Sequence, residues 1–164
     1  MNEGKRSQMI RYIIDESVLS FEVSRELGIA LLRWAADRAD RFVLTLDESV
    51  YVDPLGVIRL FEPFSIEVTR HEGGSTIITG ETPPASLTDL VTDRSFLNKS
   101  VSGDLTNVED VAFYILQRRH YLAADYGRTQ ILFIDPIEIS QLRSLLRDVG
   151  LDESVLKELP FDPT

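Results

Sequence analysis

The chain has 164 residues, with 27 acidic against 17 basic side chains for a formal net charge of -10, 43% hydrophobic residues and no cysteine. That is one domain's worth of chain, able to bury about two thirds of its unfolded surface, and its apolar content excludes a disordered acidic tail. The charge sign disfavours nucleic acid and anionic membrane as partners, and the missing thiols exclude disulfides, iron–sulfur centres and cysteine-ligated zinc.

Residues 1–10 read as a flexible N-terminal segment ahead of a single α+β domain over 11–164. The opening Met1 to Arg11 is polar, with no apolar stretch and small-residue cleavage site behind it, so a cytoplasmic location is expected. Tyr12-Ile13-Ile14 fits either a small edge strand or the approach to a helix. From Ser17 to about Ala39, Val23, Leu27, Ala30, Leu31 and Trp34 recur at three- and four-residue spacing, which predicts one long helix or a short turn followed by a helix. Phe42 to Leu46 and Val50 to Val52 then read as a hairpin, stopped by Asp53-Pro54, and Val57 to Phe61 and Phe64 to Arg70 as two further strands. Gly73-Gly74 marks a tight turn before a strand at Ser75 to Thr79, with Ile66 and Val68 expected to face inward and Glu67 and Thr69 outward.

Ser86 to Val91 predicts a short helix, and Arg94 to Gly103 an irregular connection. Thr106 to Glu109 has the spacing of a capping box, and Val111, Tyr114, Ile115, Arg118 and Leu122 supply the stripe of a helix running to about Ala124. Gln130 to Ile134 is a compact interior strand. Asp135-Pro136-Ile137-Glu138 sets a cap, a pre-formed first helical residue and a reciprocal acceptor for a helix that ends at Gly150. A last short helix is expected over Glu153 to Leu159. The resulting class is α+β, with a mainly antiparallel sheet of four to five strands covered by N-terminal and C-terminal helices.

The tetrapeptide Asp-Glu-Ser-Val occurs at Asp15, Asp47 and Asp152. Its copies share neither a constant period nor flanking pattern, so they read as turn and helix-start chemistry instead of a structural repeat. The stretch Arg11 to Leu19 resembles the opening of a PIN-domain ribonuclease, with a strand, an aspartate, a small hydroxyl residue and a helix. That resemblance implies a parallel sheet and a carboxylate cluster holding magnesium or manganese, with Asp15 at the opening position. Arg41 to Thr79 departs from it, reading as consecutive antiparallel strands where the family alternates strands and helices.

No calcium-loop spacing, complete phosphate loop or nucleophile elbow is present, and no metal or cofactor is expected. Two histidines, His71 and His120, cannot make a three-histidine zinc site. His120 stands in Arg118-Arg119-His120-Tyr121 with Asp125 and Tyr126 close behind, a set able to bind an anion or move a proton if a pocket gathers it. The alternative for these residues is cation–dipole pairing at a helix end.

The second candidate is an acidic surface carrying aromatics: Asp47, Glu48, Tyr51, Asp53, Phe61, Glu62 and Phe64. Scattered carboxylates speed encounter with a basic surface, and aromatic anchors supply binding energy when they become buried. The leading expectation is therefore a non-enzymatic, protein-binding domain whose partner is a basic protein, broadly similar to inhibitor or immunity proteins in being acidic, small and cysteine-free. The alternatives are a small enzyme built on the His120 set and a structural subunit of an oligomer.

Overall fold

The computed structural model describes residues 8–48, 54–94, 108–125 and 127–160. Among these, eight strands form one sheet: β1 (Ile10–Ile14), β2 (Arg41–Asp47), β3 (Glu67–His71), β4 (Ser75–Gly80), β5 (Val108–Ile115), β6 (Arg118–Ala124), β7 (Thr129–Ile134) and β8 (Leu156–Glu158). Four helices accompany them: α1 (Phe21–Arg38), α2 (Pro54–Phe61), α3 (Ala85–Asp93) and α4 (Ile139–Asp148). The spatial order is β3-β4-β2-β5-β6-β7-β1-β8, and every pairing is antiparallel. The class is α+β as expected, but four to five strands is an undercount.

Two segments read as helix account for most of the difference, while the strand expected at Val50 to Val52 lies outside the described residues. Val111 to Ala124 is not a helix but the hairpin β5–β6, turned by Leu116 and Gln117 with φ of 48° and 67°. Two successive positive φ values match the right-handed twist of a hairpin, and the Leu116 amide is held by Asp40 Oδ2 at 2.7 Å. The spacing of Val111, Tyr114, Arg118 and Leu122 imitates a helical stripe. The period that governs is two, with Val111 and Phe113 buried while Asp110 and Tyr114 are half-buried. In the C-terminal segment only Glu153–Val155 is helical, as a 3-10 turn, and Leu156–Glu158 pairs with β1.

The opposite correction applies to Val57 to Phe61, which belongs to helix α2. Pro54 opens that helix with its φ already suitable, and Ile58 and Phe61, three residues apart, turn into the core. A 3-10 turn over Glu62–Phe64 then leads into β3, which begins at Glu67. Val68 lies opposite buried Ile78 but remains 37% exposed, and Ile66 is 67% exposed. The alternation is as expected, Val68 sharing the helical face with Ile78 and Glu67 taking the other, but the edge strand overhangs the helical cover, so Val68 and Ile66 are not buried.

Other local signals act as read. Ser20 caps α1 by accepting from the Val23 amide at 3.3 Å, while Asp135 and Glu138 form a reciprocal capping box in front of α4. Gly150, at φ 78°, follows α4 in the left-handed conformation that frees its last carbonyls for turn bonds. Asp15 and Asp152 each cap a 3-10 turn by accepting from the serine amide two residues on. The two turns touch through the Asp15 amide and the Val155 carbonyl at 2.8 Å.

All four helices bury their apolar stripes against one face of the sheet. Leu27, Leu31, Leu32 and Ala35 of α1, Ile58 and Phe61 of α2, Leu87 and Val91 of α3, and Leu142 and Leu146 of α4 join one cluster. Phe42, Leu44, Leu46, Ile78, Val111, Phe113, Tyr121, Leu132 and Ile134 enter it from the strands. Among the described residues, no helix is long and apolar enough to cross a membrane.

Candidate interaction surface

Alternation along the strands sends the remaining side chains to the opposite face, where none belongs to the core cluster. Register lines up Glu67, Thr79, Val43, Ala112, Leu122, Ile131, Ile13 and Lys157 in one row across all eight strands. The five central members, Val43, Ala112, Leu122, Ile131 and Ile13, are apolar. Ala112 is buried among its neighbours and the other four are half-buried. An apolar band of this kind, with no helix over it among the described residues, is the feature most characteristic of an interaction surface.

Charge is separated on either side of the band. Toward one strand end, Arg41 lies opposite Tyr114 and Tyr114 opposite Arg119, while on β7 and β1 Phe133 lies opposite Arg11. The guanidinium carbons of Arg41 and Arg119 stand 5.3 and 5.2 Å from the ring centres of Tyr114 and Phe133, within cation–π range. Arg11 is tied by its Nη2 to the Pro160 carbonyl at 2.6 Å.

Toward the other end stand Asp47, Glu109, Asp110 and Asp125. Burial raises the pKa of Glu109, and the neighbouring charges of Asp110, Asp47 and Asp125 raise it further. Asp110 Oδ1 also accepts from the Asp125 amide at 3.2 Å. No three histidine or acidic side chains among the described residues are grouped so as to hold a metal ion.

The expected partner-binding set disperses. Glu48 is committed within the chain, taking Arg70 Nε and Nη2 at 3.2 and 3.1 Å and the Thr76 hydroxyl at 2.5 Å, which together lower its pKa. Phe61 is completely buried and has no ring to offer a partner. Phe64 packs against the core, and Glu62 is an exposed residue at the start of the following 3-10 turn. Tyr51 and Asp53 lie outside the described residues. Asp47 alone of the set belongs to the charged end of the bare face.

The His120 set does not converge. A bulge between Phe113 and Tyr114 leaves His120 without an opposite residue and turns it to the helical side, with Nε2 2.9 Å from the Ala35 carbonyl. Burial pushes its pKa below the ordinary 6.5, which favours neutral imidazole at neutral pH. Tyr121 is fully buried and donates to Gln130 Oε1 at 2.9 Å, and burial raises its pKa strongly. Asp125 follows the far end of β6 and pairs with Arg128 at 3.7 Å, while Tyr126 lies outside the described residues. Of the set, only Arg118 and His120 line an open depression of about 340 Å³ with Ile115, Leu116, Asp135 and Glu138. Asp15, the residue carrying the ribonuclease resemblance, is bound to Lys157 Nζ at 2.8 Å and to the Ser17 hydroxyl at 2.6 Å in an antiparallel sheet.

Sequence reasoning missed Arg11, Arg41, Tyr114, Arg119 and Phe133 as members of one surface. The available signal was period-two alternation in 108–115 and 118–124, obscured there by the coincident helical spacing. The fold and this surface define an α+β protein with one antiparallel sheet, covered among the described residues by helices on a single side. No family model matches the chain, and neither a curated protein nor a solved structure matches it.

Proposed function

We propose that this chain is a non-enzymatic protein-binding domain that docks a partner across the helix-free face of its sheet, with the cytoplasm as its place of action. The observation that carries the reading is the apolar row from Val43 to Ile13, which no described helix covers and which charge borders on both sides. Burial of such a row supplies the association energy, and the bordering charges set orientation and encounter rate. A basic patch on the partner fits the end formed by Asp47, Glu109, Asp110 and Asp125, in line with the net charge of -10. Separation of His120 and Tyr121 from Asp125 removes the support for an enzyme built on those groups.

The test is affinity capture from cell extract with the wild-type chain, Leu122→Lys, Asp110→Lys and, on the exposed side of α4, Arg147→Ser as control. Proteins recovered by the wild type and the control should be lost with Leu122→Lys and weakened with Asp110→Lys, more so at low salt. Equal recovery by all four chains, with unchanged circular dichroism, would sink the reading.

A further inference from the structure

We infer that a second copy of this chain occupies the helix-free face, in a two-fold dimer whose axis runs along the apolar row. The inference rests on the protein-binding reading above and names the partner.

The argument is one of symmetry. Two copies packed face to face by a two-fold axis have that axis in the plane between the sheets, either along the strands or across them. An axis along the strands keeps each strand end at the same level and sets arginine against arginine. An axis across the strands reverses one copy end for end, so the cationic end of each sheet covers the acidic end of the other. The apolar row then lies on the axis and meets its own counterpart.

Register makes the match specific. Arg41, Tyr114 and Arg119 lie two residues from the row on the cationic side of β2 and β5 and at the corresponding place on β6. Thr45 and Asp110 lie two residues from it on the acidic side. Reversal about the row carries Asp110 of one copy to Tyr114 of the other, between the two arginines that flank that ring. The guanidiniums of Arg41 and Arg119 are stacked on aromatic rings, an arrangement that orients their planar forks and leaves in-plane N–H groups for a carboxylate. The same stacking covers one side of Tyr114 and Phe133, which argues against base-stacking nucleic acid as the occupant.

Size and screening are compatible with this arrangement. The five central strands, at about 4.8 Å spacing and up to eight residues of about 3.3 Å, present a face roughly 24 by 26 Å. With side-chain relief, that approaches the order of 800 Å² per partner found in stable interfaces. The surplus charge of each copy is screened beyond about 8 Å at physiological ionic strength, so the groups brought face to face decide the sign.

Analytical ultracentrifugation of the purified chain tests the inference through charge exchange. Wild type should sediment as a dimer, and Arg119→Glu and Asp110→Arg should each weaken the dimer by on the order of tenfold or more, since each change acts at two symmetric contacts. Mixing the two single variants should restore a dimer, because one contact is then native and the other exchanged. Misfolded variants could not show this recovery. A wild-type chain that stays monomeric at millimolar concentration, a dimer indifferent to both substitutions, or a mixture that fails to recover while each variant melts normally would overturn the inference. A monomer whose captured proteins still depend on Leu122 would overturn self-docking alone and leave the protein-binding reading standing.

Discussion

Neighbouring residues on β7 meet opposite fates. Leu132 is fully buried beneath the helices, whereas Ile131 points the other way into the half-buried apolar row. The same contrast repeats on β2 with Leu44 and Val43 and on β5 with Val111 and Ala112. Hydrophobicity alone does not tell these pairs apart, because both sides of the central sheet are apolar. What separates them is the placement of four helices on one side, which turns one set into core and leaves the other as a surface requiring some other cover.

Truncation on the two faces sharpens this contrast most. Leu132→Ala should cost about 2–5 kcal/mol in urea unfolding, the range for an emptied core site. Ile131→Ala, measured at protein concentrations low enough to keep the chain monomeric, should cost about 1 kcal/mol. Equal losses would show that the second face is as closed as the first.

The covered face also has no room to spare at its margin. A Cβ added to Gly80 would run into the Phe42 ring and the Phe64 carbonyl, a backbone group that cannot swing aside. Gly80→Ala should therefore lower stability by roughly 1–3 kcal/mol and lower the melting temperature accordingly. Next comes the polar pair buried beneath the helices. Tyr121→Phe removes the donor to Gln130 Oε1 and should cost about 1–3 kcal/mol, while a hydroxyl deleted from half-buried Tyr114 on the bare side should change stability little.

The smallest effect lies at the edge where both faces end. Lys157 and the Ser17 hydroxyl hold the Asp15 carboxyl at about 2, below its ordinary 3.8. A depressed folded-state value means that the unfolded chain takes up the proton first. The contribution of Asp15 is thus present above about pH 3.8 and is lost as pH falls through about 2. Melting curves of Asp15→Asn should show a shallower loss of stability across that window than the wild type, with the two converging at its acid end.

Much of the helical side was legible from local chemistry. Ser20, Asp135 with Pro136 and Glu138, and Gly150 act through contacts within a few residues, α1 and α4 appear where their apolar spacing places them, and α3 covers the short helix expected over Ser86 to Val91. Gly73 and Gly74, at φ 112° and 98°, make the expected turn between β3 and β4. The β5–β6 hairpin was not legible, because its turn uses Leu116 and Gln117 in place of glycine or asparagine and its apolar residues also satisfy a helical spacing. Long-range pairing with β2 and β7 selects the extended form. Of the functional candidates, Asp47 reaches the charged end of the bare face. Phe61 does not, because α2 rolls it into the core, and Glu48 is drawn into its own chain by Arg70 and Thr76.

The sequence by itself determined the α+β class, the acidic balance, the absence of thiol chemistry, and the turns and caps whose partners lie a few residues away. Only the tertiary structure decided which apolar residues are core and which form the bare row, and that Arg41, Tyr114 and Arg119 share one side. The physical reason is that strand alternation assigns a residue to a face without saying what covers that face. Cover and register depend on contacts between residues tens of positions apart, and no local pattern carries that information.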